Sequence, residues 1–343
     1  VEFSFQNARP WNSFCEIESV VELGRRIMDG SIRADNKEAP YPMGCFGPLE
    51  EIQPGLAFMP FFGNITILET TEGLVLIDGG GLGTGFVHQQ IRKWNPNAPL
   101  HTGIYTHGHI DHVQGIRALE KIENTKMNVI AHKNTARRFD RYSLTRKLNA
   151  AINYRQFQGS VGWPSSYRYP DVEYDDEMKL TIGDEEIHLF HSRGETDDGT
   201  WVWLPKRKVI CSGDLFIWTF PNCGNPQKTQ RYCVEWAAAL RQMASLKPEL
   251  LLPGHGPPIP GYDLIQEALL TTAEALESIF NQTISAMNSG LRLQEVVDKV
   301  KLSPELLKKP YLNPQYDQID FIVRNIWRLY GGWWDGNPSH LEP

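Results

Sequence analysis

Between Thr106 and His112 the chain reads Thr-His-Gly-His-Ile-Asp-His, which puts three imidazoles and a carboxylate within six positions. Neutral imidazole and carboxylate oxygen are donors suited to a borderline ion such as zinc. The residues before the cluster, Thr102 to Tyr105, read as a short strand. Those after it, Val113 to Ile122, read as a helix with Ile116, Leu119 and Ile122 on one face. A strand-to-helix turn lets its side chains fan around one point. Histidines also gather on wet surfaces, but four potential ligands at this spacing make that reading weak.

The composition excludes several settings for such a cluster. With 343 residues, 41% hydrophobic and 22% charged, the chain is long enough for one large domain with appendages and has ordinary soluble composition. A net charge of −7 argues against nucleic acid as a partner. No apolar run is long enough to span a bilayer. Val1 to Pro10 lacks the basic and apolar regions of a signal peptide, and a cytoplasmic location is expected, with a trimmed leader left open by the missing initiator Met. The five cysteines, Cys15, Cys45, Cys211, Cys223 and Cys233, are odd in number, scattered and without CxxC spacing, which fits a reducing compartment and no cysteine zinc site.

Residues 1–50 form a mixed arm with a helix expected over Val20 to Met28. A β pattern follows. Leu56 to Met59 and Ile65 to Leu68 are short runs of strand formers, and Leu74 to Ile77 is the continuous apolar run of a buried central strand, ending at Asp78-Gly79-Gly80-Gly81. Phe86 to Trp94 reads as a helix and Met127 to Ala131 as a strand. Residues 133–170, rich in Arg, Tyr, Asn and Gly with weak periodicity, read as a long irregular insert of the kind that binds ligands, with Arg137, Arg138, Arg141, Arg146 and Arg155 in it. Ile187 to His191 is a strand, and Trp201 to Leu204 with Val209 to Cys211 a hairpin. Past Pro260 the pattern is helical, with Gly290 as a C-cap. A final helix over Ile319 to Leu329 would present Ile322, Ile326 and Leu329 together, followed by Tyr330, Trp333 and Trp334, an ending too aromatic to stay free.

The run His107-x-His109-x-Asp111-His112 resembles the signature of the metallo-β-lactamase superfamily. The resemblance implies an α/β fold, the superfamily's αββα sandwich, here over residues 51–262, with the arm 1–50 before it and a C-terminal helical extension, the dimerisation region, over 263–343. It also implies the remaining ligands, which follow in order. Asp78 matches the Asp that supports a ligand His from behind. Most members have Gly-His-Thr where this chain has Gly194-Glu195-Thr196, so Glu195 is the expected ligand there, in preference to His191 at the end of the preceding strand. Asp214 takes the place of the bridging carboxylate and His255 that of the last ligand.

Within the superfamily, Glu195 and the stretch from Arg324-Asn325 to Asn337-Pro338 resemble bacterial alkyl sulfatases. Those enzymes carry Glu at the position of Asp214, and they often have a further lipid-carrier-like domain that this sequence does not reach. The implied function is a dinuclear metal-dependent hydrolase acting on alkyl sulfate esters through a bridging hydroxide. The alternative is hydrolysis of another ester, a phosphoester, lactone or thioester. Two Zn²⁺, or another divalent metal, are implied: one on His107, His109 and Glu195, the other on Asp111, His112 and His255, with Asp214 between. Asp111 and Asp214 are the expected catalytic carboxylates. A small anionic ester is the expected substrate, with Arg155, Lys228, Arg231 and Trp218 as candidates to contact it, and Phe216, Trp218 and Phe220 as either an apolar tunnel wall or core. A homodimer is the expected assembly.

Overall fold

The computed structural model describes residues 10–13, 19–35, 37–81, 83–157 and 162–341; Cys15 and the start of the chain lie outside them. Two sheets are stacked. The first is built from β1 (Glu50–Gln53), β2 (Leu56–Met59), β3 (Ile65–Thr70), β4 (Gly73–Ile77), β5 (Leu100–Ile104), β6 (Asn128–His132) and β7 (Val172–Tyr174) in sequence order. Its first four strands are antiparallel, and β4 to β7 pair in parallel. The second sheet holds β8 (Glu177–Ile182), β9 (Glu185–His191), β10 (Thr200–Leu204), β11 (Val209–Ile217), β12 (Leu250–His255) and β13 (Ile259–Pro260), with order β13-β12-β11-β10-β9-β8.

The apolar run of β4 shows why both faces are covered. Val75 and Ile77 join the core between the sheets, with Leu56, Phe58 and Leu68 from the first and Ile187, Leu189 and Val202 from the second. Leu74 and Leu76 point the other way, into a layer made by α2 (Thr84–Trp94) and α3 (Ile110–Glu123), through Val87, Ile91, Ile116 and Leu119. Each such fully buried aliphatic stabilises by roughly 1.5–3 kcal/mol. On the far side, α6 (Cys233–Ser245) and α7 (Tyr262–Asn288) cover the second sheet through Trp236, Leu240, Leu269 and Leu276, which completes the αββα sandwich. The arm's helix α1 (Val20–Met28) packs on this body. Ser19 caps it, Glu50 accepts from Val20 N at 2.8 Å, and a Cβ on Gly24 would lie 1.7 Å from Pro258 O.

The structure corrects three sequence expectations here. Ile122 is 47% exposed, and the buried face of α3 is His112, Val113, Ile116 and Leu119. The presumed irregular insert opens with two helices, α4 (Lys133–Leu144) and α5 (Arg146–Phe157). The buried stripe of α4 is Thr135, Arg138, Phe139 and Tyr142, a spacing of i, i+3, i+4 and i+7 that a buried arginine hides from any apolar count. After α8 (Leu293–Lys299) and α9 (Pro304–Leu307), the last helix, α10 (Ile319–Gly331), forms where expected, but its buried residues are Ile322, Val323, Asn325 and Ile326, and Leu329 is 43% exposed. Among the described residues, no helix is long and apolar enough to cross a membrane.

Candidate metal centre

The ligand-bearing turns leave the carboxyl ends of strands, where α/β sheets gather their binding residues. Asp78 follows β4, His107 and His109 follow β5, Glu195 follows β9, and Asp214 and His255 lie near the ends of β11 and β12. Close backbone approach makes this possible. A Cβ on Gly254 would fall 2.0 Å from Asp214 Oδ1, and one on Gly115 1.7 Å from Gly79 O, so neither position tolerates a side chain.

Two groups of donors result, each with its ligand atoms within 4.8 Å of one another: His107, His109, Glu195 and Asp214, and Asp111, His112 and His255. Glu195 Oε2 is 3.4 Å from His109 Nδ1 and 3.8 Å from His107 Nε2. Asp111 Oδ2 is 3.6 Å from His112 Nε2 and 3.5 Å from His255 Nε2. Asp214 faces both groups, with Oδ2 3.6 Å from His107 Nε2 and 3.4 Å from His255 Nε2, and Oδ1 3.4 Å from His112 Nε2. His191 is elsewhere. Its ring stacks on His132 at 3.5 Å, and its Nδ1 lies 2.9 Å from Gly199 O.

Neighbouring groups aim these donors. Asp78, held at φ 61°, accepts from Thr106 N at 2.8 Å and Thr106 Oγ1 at 2.7 Å, and its Oδ2 lies 2.7 Å from His112 Nδ1, which turns His112 Nε2 inward. Glu195 Oε1 pairs with Arg231 Nη1 at 2.5 Å and accepts from Asn222 Nδ2 at 2.7 Å. Its Oε2 and Asp214 Oδ1 are both buried, and neither has a hydrogen-bond partner among the described residues. Buried carboxylate oxygens without donors are costly and rare. Facing four imidazoles and a third carboxylate, they form a donor set that divalent cations satisfy. The field is strong. Burial pushes the Asp214 carboxyl up, but His255, His112 and His107 outweigh it and hold it well below the usual range. Burial pushes His112 down, yet Asp214, Asp111 and Asp78 raise it well above the usual imidazole value.

The substrate candidates are placed differently from one another. Arg155 is exposed and donates to Gln227 Oε1 at 2.9 Å. Lys228 is half-buried, and among the described residues no carboxylate pairs with it. Burial and then Arg231 push its amine down to about 8, against Glu195 and Asp111. Arg231 is buried and committed to Glu195, so it is a support for that carboxylate and not a free anion clamp. Trp218 is a core residue. It is fully buried and its indole donates to Pro257 O at 2.7 Å, and Phe216 and Phe220 are equally buried, so all three belong to the core.

Sequence reasoning missed Asn222, and also the buried pair Arg138 and Asp198 behind Gly108. Asn222 stands in no recognisable pattern, and only its nearness to Lys228 and Arg231 hinted at it. Tyr316, in the segment before α10, accepts a hydrogen bond from Gln156 Nε2 at the end of α5. Burial and the charges of Glu195 and Asp111 raise its phenol, against Arg231. The tail thus reaches the cleft. Asp317 beside it accepts from Gly224 N at 3.1 Å, and Phe62 sets its ring against His255 with centroids 5.6 Å apart.

Comparison with known proteins agrees with this geometry. Residues 59–255 match the family described as "Metallo-beta-lactamase superfamily", and residues 292–343 match "Alkyl sulfatase dimerisation". A "Linear primary-alkylsulfatase" from Pseudomonas sp. (strain ATCC 19151) is 28% identical over 307 residues, covering 81% of this chain and 57% of its own length. An "(R)-specific secondary-alkylsulfatase" from Pseudomonas sp. is 26% identical over 318 residues, covering 82% of this chain and 47% of its own. The chain therefore spans about half the length of these curated relatives. Among solved structures, the stereoselective inverting sec-alkylsulfatase Pisa1 from Pseudomonas sp. superposes with a TM-score of 0.77 at 24% identity, over 88% of this chain and 52% of that one, a likeness of fold.

Proposed function

Because the chain belongs to the metallo-beta-lactamase superfamily, we propose that it is a hydrolase of alkyl sulfate esters working with two divalent ions, most simply zinc. The observation that carries the reading is Glu195. Its free oxygen converges with His107 and His109 where other members are expected to place a third imidazole, and the relatives that resemble the chain are alkylsulfatases.

In this reading His107, His109 and Glu195 hold one ion, Asp111, His112 and His255 the other, and Asp214 faces both. When bound, such a pair supplies Lewis acidity and a water whose pKa falls from about 15.7 toward about 7. The chain's own groups prepare the rest. Asp78 fixes the tautomer and direction of His112. Arg231 and Asn222 hold Glu195 so that one oxygen faces inward, and the Arg231 charge offsets the negative charge that Glu195 brings in place of an imidazole. Lys228 and the Tyr316 hydroxyl face the cleft as donors to an anionic ester. Residues 263–343 serve as the dimerisation region.

Chelation is expected to abolish turnover and zinc to restore it. A screen of zinc-loaded protein against alkyl sulfates, phosphoesters and lactones is expected to show the highest kcat/KM on the sulfates. Turnover confined to a phosphoester or lactone overturns the substrate class and leaves the metal reading standing, whereas full activity in metal-free protein overturns both.

Lys228 provides a second prediction. Its amine loses its proton as pH rises through about 8, so its attraction for an anion is present below that pH and lost above it. Lys228→Ala is expected to raise KM about tenfold at pH 7 with a smaller change in kcat, the mark of lost ground-state binding. Lys228→Arg should keep most of the affinity and remove the rise of KM above about pH 8. An unchanged KM in Lys228→Ala shows that the amine does not meet substrate.

A further inference from the structure

Behind the metal-facing side of the His107-Gly108-His109 turn lies a buried charge pair that the chemistry above does not use. Asp198 is fully buried. Its Oδ2 accepts from Gly108 N at 2.8 Å and from Thr135 Oγ1 at 3.0 Å, and its Oδ1 accepts from Arg138 Nε at 2.8 Å. Arg138, also buried, reaches on to Asp197, and Asn134 Nδ2 donates to Asp197 O at 2.9 Å. The fit around Gly108 is tight, since a Cβ there would sit 2.8 Å from Arg138 Cδ and 3.1 Å from Asp198 Oδ2.

We propose that Asp198, anchored by Arg138, is a positioning residue that sets the first ion's ligands as a unit. Gly108 joins the two histidines, so the orientation of its peptide sets the direction from which both rings leave the chain. Asp198 stands three positions after Glu195 on the same turn. The first ion's expected ligands thus border this brace, His107 and His109 on either side of Gly108 and Glu195 three positions before Asp198, and among the described residues Asp198 makes no hydrogen bond to Asp111, His112 or His255. The second group has its own support, Asp78 behind His112. Asp78 supports the second group directly through His112 and reaches the first only through Thr106, whose Oγ1 lies 3.0 Å from His107 Nδ1, so Asp198 is the carboxylate that meets the first group alone. Partners behind metal ligands of this kind change metal affinity by about 10–100-fold when removed.

The inference rests on the assignment of the two ligand groups to two ions, and the test separates the two ideas. Zinc affinity of the full chain is measured by competition with a chromophoric chelator, in a His255→Ala background that keeps the first group and in a His109→Ala background that keeps the second. Arg138→Met/Asp198→Ala removes the brace without leaving a lone buried charge. It is expected to weaken zinc about 10–100-fold in the His255→Ala background and to leave affinity in the His109→Ala background within about twofold. Arg138→Met/Asp198→Asn, which keeps an oxygen for Gly108 N–H, should recover most of the loss, as a merely structural role would not. Unchanged affinity in the first background, or equal losses in both, overturns the brace. If the double variant shows no cooperative melt, Gly108→Ala, which presses the same pair from the other side, is read by the same criteria. Failure of the unaltered protein to bind zinc refutes the metal assignment itself and not the brace alone.

Discussion

Glu195→Ala protein is expected to lose one zinc equivalent and at least about a thousandfold in turnover, because the lowered pKa of a bound water, from about 15.7 toward about 7, depends on the ion being there. His191→Ala is expected to keep its zinc. The two residues stand four positions apart, and both carry a side chain able to bind zinc. The structure separates them. Glu195 Oε2 faces His107 and His109 without a hydrogen-bond partner, while the His191 ring lies flat on His132 with its Nδ1 beside Gly199 O. Asp214→Ala should cost more activity than Arg231→Ala, since Asp214 faces both donor groups. Arg231→Ala acts first on stability: breaking a buried ion pair costs about 3–5 kcal/mol, and in the loaded protein the ion shares the compensation of Glu195. Metal analysis after dialysis, with kcat measured on the same samples, checks the set. Loss of an equivalent in His191→Ala alone would overturn the assignment of Glu195.

The candidate donors were legible because metal chemistry restricts residue type and because most of them fall near the ends of strands that announce themselves. Leu74 to Ile77 reads as a buried strand, so the residue after it, Asp78, could be placed before any geometry was known. The supports behind the ligands were not legible in the same way. Asp198 is one acidic residue in the run Glu195-Thr196-Asp197-Asp198, and its partner Arg138 lies 60 positions earlier on a helix whose buried face looks polar in sequence. Arg231 looked like an anion clamp because its neighbourhood is basic, and only the structure shows a carboxylate already on it. The aromatic residues closely following Asp214 in sequence invited the tunnel reading of Phe216, Trp218 and Phe220. Burial of all three shows that the same alternation serves the core. Long-range pairing leaves no periodic trace, so what sequence withholds here is which charge answers which.

Deletion of residues 316–343 is expected to convert a dimer into monomeric, poorly soluble or inactive protein, and the structure supplies two reasons. The first is exposure. In the single chain, α10 buries Ile322, Val323 and Ile326 against α7 and α8, but leaves Leu329, Tyr330, Trp333 and Trp334 between 40% and 79% exposed, next to Val234 on α6, which is 42% exposed. Exposed apolar and aromatic side chains of this kind are what interfaces between copies are made of, and the segment lies within the match to alkyl sulfatase dimerisation. The second is the cleft. Asp317 accepts from Gly224 N, Tyr316 meets Gln156, and Asn325 Nδ2 donates to Arg231 O at 2.9 Å. Removing the tail therefore uncovers the loop that carries Asn222 and Arg231, the two groups that hold Glu195. The proposed interface and the donor groups are served by one segment, so Trp333→Ser/Tyr330→Ser, which leaves Asp317 and Asn325 in place, should yield monomer that still binds two zinc equivalents, whereas the truncation should lose zinc as well. Light scattering at micromolar concentration with metal analysis distinguishes these outcomes. A full-length monomer, or a truncation that remains dimeric and active, contradicts the assembly proposed here.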